Sequence, residues 1–127
     1  MNVPADLKYS ENDEWIRVDG EVLTLGITDY AQDALGELVH IELPEPGKAV
    51  EAGDVICEVE SVKAVAEVYS PVAGEIVEIN DALDGAEETV NEDPYGEGWL
   101  VKIKIIDPAP LDTLLDPPGY EQKTEEG

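Results

Sequence analysis

From Trp15 onward the chain alternates apolar and polar residues in short runs, the period of half-buried strands rather than of helices. Trp15, Ile16 and Val18 begin the first run, and Asp19-Gly20 is a hairpin turn signal. Val22 to Ile27 is the return strand. Thr28 or Asp29 then caps a short helix through Tyr30, Ala31, Ala34 and Leu35. Gly36 suits its C′ position, where a left-handed backbone is easiest without a Cβ. Leu38 to Leu43 reads as a strand with Val39, Ile41 and Leu43 on one face and His40 on the other. Pro44-Glu45-Pro46-Gly47 makes a turn.

Two further runs, Val55 to Glu60 and Ala64 to Tyr69, place Lys63 at a hairpin tip. The stretch around it has a rough symmetry: a turn with Gly53 precedes the strand pair and a turn with Gly74 follows it. Such pseudo-repeats, with Gly and Pro between many short strands, predict two interlocked short sheets, mainly β with short helices. Glu75 to Ile79 is another strand, Asp81 to Asp93 an acidic connector, and Pro94 to Gly98 a glycine-rich bend. Trp99, Val101, Ile103 and Ile105 share one face of the last strand. Asp107-Pro108 opens a short helix, which Pro117-Pro118-Gly119 ends. The expected organisation is one domain over 1–127, with a core of about 15–106, a helix over about 108–116, a polar lead-in over 1–12 and a frayed tail over 117–127.

Composition narrows the function. The 127 residues carry 31 acidic against 7 basic side chains, a formal net charge of −24. That balance argues against nucleic-acid or anionic-membrane partners and favours basic protein surfaces. It also favours a monomer, since copies repel. Two readings stay open: adaptation to a salt-rich cytoplasm, as in halophiles, or a merely acidic carrier. Met1 to Asp6 has neither a basic patch nor a long apolar run, so no signal peptide is expected. No segment has the apolar length to span a bilayer, and a cytoplasmic location is the default.

Little in the chain could perform chemistry unaided. His40 is the only histidine and Cys57 the only cysteine. Cys57 shares a strand face with Val55 and Val59, which points to a small buried hydrophobe rather than a reactive thiol. Cys/His metal sites are excluded by count, and neither a calcium loop nor a nucleotide fingerprint occurs. No pair of carboxylates stands out as acid and base, so no catalytic residue is assigned. Lys63 remains. It is either an ordinary polar tip residue or an attachment point, a primary amine on a stiff turn. Ala64 beside it is small and leaves access, while Glu60 and Glu67 offer charge that a modifying ligase can read.

The run Glu60-Ser61-Val62-Lys63-Ala64, followed by Tyr69-Ser70-Pro71, resembles the lipoylation hairpin of the glycine cleavage system H protein family. The likeness extends through Glu14-Trp15, Gly26 to Gln32, Leu43 to Gly47, Val77 to Asn80 and Val90 to Trp99, in the family's order. Biotinyl carriers have Met on both sides of the lysine, where this chain has Val62 and Ala64. The chain departs from the family pattern at Asp13, His40 and Ala66-Glu67. The resemblance implies a barrel-sandwich hybrid of the lipoyl/biotinyl-carrier kind, with an N-terminal extension and a short C-terminal helix. It implies lipoic acid in amide linkage on Lys63, recognition by a lipoate ligase or lipoyl transferase through Glu60, Ser61, Ala64 and Glu67, and an arm-docking cleft at Glu14. It implies a non-catalytic carrier that serves a pyridoxal-phosphate glycine decarboxylase, a tetrahydrofolate-dependent aminomethyltransferase and dihydrolipoamide dehydrogenase. Two alternatives are an H-type protein that donates lipoyl groups to other complexes and an unmodified acidic binding module.

Overall fold

The structure is a computed structural model that describes residues 2–126. Its strands are β1 (Lys8–Tyr9), β2 (Glu14–Asp19), β3 (Val22–Ile27), β4 (Leu38–Glu42), β5 (Ala49–Val50), β6 (Val55–Ser61), β7 (Val65–Tyr69), β8 (Ala73–Ile79) and β9 (Val101–Asp107). Helices α1 (Asp29–Leu35), α2 (Glu88–Glu92) and α3 (Pro117–Glu126) join them. A six-stranded sheet runs β1-β2-β3-β9-β8-β5 and a three-stranded sheet runs β4-β6-β7, all neighbours antiparallel. This is the mainly β, sandwich-like architecture that the alternation predicts.

The main core lies between the two sheets. Ile16, Leu23, Leu25, Val59, Val68, Ile76 and Ile103 are all buried there. The β2–β3 turn centres on Gly20-Glu21, one residue later than Asp19-Gly20, with Gly20 at φ +66. A positive φ at the first central position alone fits a type II′ hairpin turn, which glycine adopts without strain. Trp15 pairs with Gly26 across β2 and β3, and its indole N–H donates to Pro94 O at 2.8 Å. A Cβ at position 26 would sit 2.8 Å from that indole nitrogen, so glycine lets the ring lie flat on the strand.

Four expectations need correction. First, Val39 is 47% exposed and Leu38 is buried. A register shift between Leu38 and His40 turns the side chains over, while Ile41 and Leu43 pack on the core as expected. A similar shift between Val55 and Cys57 exposes Val55 and buries Ile56 beside Cys57. Second, the lead-in is not merely polar: Leu7 and Tyr9 are buried. Third, the acidic connector holds α2 and buries Leu83 and Val90.

Fourth, the helix expected over about 108–116 is only a 3-10 turn, Ala109–Thr113, and the tail expected to fray is α3. The two prolines begin α3 instead of ending its predecessor. Proline is tolerated in a first helical turn, where its missing N–H has no intrahelical partner to lose. Tyr120 of α3 is fully buried and stacks on Tyr9, with ring centroids 4.7 Å apart. Together with Leu7 and Trp15 they form a second, smaller core. Met1 of the lead-in and Gly127 of the tail lie outside the described residues.

Candidate functional site

Strands β6 and β7 pair from Val55↔Tyr69 up to Glu60↔Val65, leaving Val62, Lys63 and Ala64 at the apex. Ser61, only 5% exposed, closes the turn. Its N–H donates to Ala64 O at 2.8 Å, and its Oγ accepts from the N–H of Ala64 at 3.0 Å and of Lys63 at 3.2 Å. A serine hydroxyl that bonds its own turn in this way substitutes for missing backbone partners and stiffens the loop. The tip is also fastened from outside, because Val62 N–H donates to Glu37 O at 3.1 Å.

Lys63 is exposed, and neither of the ion pairs among the described residues includes it. Its stem passes over Gly36, where a Cβ would stand 3.4 Å from Lys63 Cε. Glycine is favoured here by backbone alone: Gly36 ends α1 with φ +83, and a Cβ would make only ordinary contact with the flexible lysine stem. Thr28 caps the other end of α1, its Oγ1 accepting from Ala31 N–H at 3.2 Å.

The expected site residues do not all gather at the tip. Ser61, Lys63 and Ala64 do. Glu60 pairs with Val65 one step below the apex and is exposed. Glu67 lies further down β7, where Tyr69 Oη donates to its carboxylate at 3.4 Å. Glu14 is at the foot of the hairpin. Its Oε2 accepts from Tyr69 N–H at 2.6 Å and its Oε1 from Ser10 Oγ at 2.7 Å. From Lys63 to Tyr69 is six residues of extended chain, about 20 Å at about 3.3 Å each. Glu14 is 2% exposed, and burial outweighs those two bonds to push its carboxyl up to about 7. A cleft of about 500 Å³ opens beside it, bordered by Ser10, Tyr69 and Ser70.

Cys57 is buried, and burial, with Glu14 nearby, pushes its thiol up to about 12. It is an inert core residue, as its strand position suggested. His40 is exposed on β4. Among the described residues no cluster of His, Cys, Asp or Glu is placed to hold a metal ion.

An apical amine on a doubly fastened hairpin suits a tethered cofactor, and the comparisons with known proteins bear on which one. The model of the glycine cleavage H-protein family matches residues 7–127. The chain belongs to that family. A glycine cleavage system H protein of Thermus thermophilus is 51% identical over 125 residues, covering 98% of each chain. One from Carboxydothermus hydrogenoformans is 52% identical over 124 residues, covering 98% of this chain and 95% of the relative. The crystal structure of a glycine cleavage system H protein from Mycobacterium marinum superposes with a TM-score of 0.86 at 36% identity, over 96% of this chain and 98% of that one. As a member, the chain is a non-catalytic lipoyl carrier of the glycine cleavage system, a family that holds lipoate covalently on a lysine. No helix among the described residues is long and apolar enough to cross a membrane.

Two site residues were not singled out from the sequence. Spacing marks Gly36 only as a helix cap, and its place beneath Lys63 is a tertiary fact. Asn91 stands out in the sequence only as part of the segment Val90 to Trp99. Its amide donates to Gly36 O at 2.8 Å and Gln32 Oε1 at 3.0 Å and accepts from Leu38 N–H at 3.0 Å. No local spacing signals a contact between residues so far apart.

Proposed function

We propose that Lys63 is the lysine that carries lipoate, and that this protein shuttles an aminomethyl group between glycine decarboxylase and a tetrahydrofolate-dependent aminomethyltransferase. The observation that carries the assignment is an exposed, unpaired amine at the apex of a hairpin locked by Ser61. The other lysines lie on β1, β9, α3 or the loop before β5. Amide formation there removes the lysine charge and takes the formal total from −24 to −25. Lipoate bound at Lys63 would supply a dithiolane able to accept the aminomethyl group as its disulfide is reduced, to give the methylene to tetrahydrofolate with loss of ammonia, and to be reoxidised from the dithiol by dihydrolipoamide dehydrogenase.

The chain's own residues supply position and recognition. The locked tip presents the amine in one orientation, and tethering makes each partner encounter local. Glu60 and Glu67 give a lipoate ligase or lipoyl transferase its charged cue, Ser61 holds the turn in shape, and Ala64 leaves the amine open on one side. At the foot of the hairpin, Glu14 is the counter-charge for the cationic end of the loaded arm. Each of its oxygens accepts one hydrogen bond and keeps a further lone pair, so Oε1 can take an incoming ammonium beside the Ser10 hydroxyl. Glu14 in its charged form then has a partner, which lowers its pKa from the raised value. The protein works as a monomer in the cytoplasm, and its charge suits a salt-rich one.

Lys63→Arg tests the site. A guanidinium is not the amine that acylation needs. The variant is expected to fold with an unchanged melting temperature and to lose all glycine-dependent reduction when decarboxylase is supplied. Retained reduction would refute the assignment.

A further inference from the structure

We infer that Asn91 is a positioning residue for the Lys63 hairpin, acting through the segment Gly36-Glu37-Leu38. This rests on Lys63 being the attachment site. The tip's outside anchor is the Glu37 carbonyl, which accepts from Val62 N–H at 3.1 Å. Glu37 itself is exposed, and its side chain makes no described hydrogen bond that would hold it still. The two residues on either side of it are held by one side chain. Asn91 Nδ2 donates to Gly36 O at 2.8 Å, and Asn91 Oδ1 accepts from Leu38 N–H at 3.0 Å.

An asparagine amide has two donors and an acceptor set in one plane. Here all three are used, since the second N–H donates to Gln32 Oε1 at 3.0 Å. The amide thus spans the gap between the end of α1 and the start of β4, and fixes the peptide that carries the Glu37 carbonyl. Its neighbour Val90 is fully buried, which roots α2 in the core and makes Asn91 a firm support. Mechanical constraint passes from the core through Val90 and Asn91 to Glu37, then to Val62, and ends next to the reactive amine. Residues facing a site on a rigid element hold it better than a free loop would.

Releasing the anchor leaves Lys63 chemically intact and lets the apex sample other geometries. An enzyme that acylates one geometry then meets it in a smaller fraction of molecules, and the apparent KM rises by the inverse of that fraction. The turnover of the bound, correctly placed lysine does not change.

Asn91→Asp is the suitable variant. It matches asparagine in shape and keeps the acceptor for Leu38 N–H. It loses both donors and sets a carboxylate against the Gly36 carbonyl. Val50→Ala is the control, because it loosens the main core at β5, on the edge of the large sheet, and Val50 takes no part in the Val90–Asn91–Glu37 support. Each full-length chain is assayed as the substrate of a purified lipoate ligase with lipoate and ATP, over a range of chain concentrations. Exchange of the Val62 amide proton is followed by NMR.

Asn91→Asp is expected to raise KM for the chain by about threefold or more with kcat unchanged, and to speed Val62 exchange by a similar factor. Val50→Ala is expected to lower the melting temperature with KM at the wild-type value. A wild-type KM for Asn91→Asp, or an equal rise for Val50→Ala, would overturn the positioning role alone. A wild-type chain that the ligase leaves unmodified would overturn the Lys63 assignment, and this inference with it.

Discussion

Glu14 is a carboxyl held where a charge is unwelcome. Burial raises its pKa from 4.5 to about 7, against the opposing pull of Tyr69 N–H and Ser10. The folded chain therefore keeps a proton that the unfolded chain releases above about pH 4.5. The stability this contributes is complete below that value and is lost as pH rises through about 7. The difference of about 2.5 pKa units corresponds to about 3 kcal/mol. Glutamine has the same shape, can accept from Tyr69 N–H, and does not titrate. Glu14→Gln should thus gain on the wild type by up to about 3 kcal/mol between pH 4.5 and 8, measured by urea unfolding at fixed ionic strength. Parallel pH profiles would show that Glu14 does not titrate in this way. The same substitution should leave lipoylation intact and shorten the lifetime of the loaded arm, since the neutral amide cannot answer an ammonium.

Helix α3 reaches the same region from the far end of the chain. Tyr120 Oη donates to Asp13 Oδ1 at 3.0 Å and accepts from Thr28 Oγ1 at 2.6 Å. Lys123 adds an ion pair to Asp13 at 3.3 Å. Asp13 needs holding: it has φ +65, a conformation that aspartate tolerates better than most residues. It also precedes Glu14, and its carbonyl accepts from Thr28 N–H at 3.0 Å. One tyrosine hydroxyl thus ties α3, the cap of α1 and the turn before Glu14 together. Tyr120→Phe keeps the ring stacked on Tyr9 and removes both hydroxyl bonds. It should cost about 1–3 kcal/mol, seen as an earlier urea midpoint. An unchanged midpoint would mean that α3 is held by ring packing alone.

Pattern reading was strongest where a rule is local. The hairpin apex, the α1 caps at Thr28 and Gly36, and the buried face of β9 follow from spacing and turn residues. It failed where a distant partner decides. The tail is polar around Tyr120, so no amphipathic stripe marks α3, and only distant partners, Tyr9, Asp13 and Thr28, explain why it docks. The shifts at Leu38/His40 and Val55/Cys57 leave no mark in an alternating run. The site divides in the same way. The tip position of Lys63 was legible from the spacing of its flanking strands, while the turn bonds of Ser61, Gly36 under the lysine stem and Asn91 behind the anchor show only in three dimensions.

At the scale of the whole molecule, charge is the least balanced property. Only Lys102–Glu78 at 3.8 Å and Lys123–Asp13 form ion pairs among the described residues, in a chain with 31 acidic side chains. Glu42 pairs directly with Glu58, and Glu58 with Glu67, across the outer face of the small sheet. Like charges directly opposite across strands destabilise a sheet. Salt shortens their reach from about 10 Å at 0.1 M to about 3 Å at 1 M. The melting temperature should therefore rise by about 5 °C or more from low to molar sodium chloride. A flat or falling profile would remove the case for a salt-adapted protein and leave the carrier role untouched.

On the proposed reading, Lys63 is an amine set at a fixed apex for acylation. Peptide-mapping mass spectrometry of the full chain, after incubation with lipoate ligase, lipoate and ATP, examines this most directly. The account predicts one lipoyl increment per chain, on the peptide that contains Lys63 and on no other. An increment on a different lysine, or none while a known carrier is modified alongside, would contradict it.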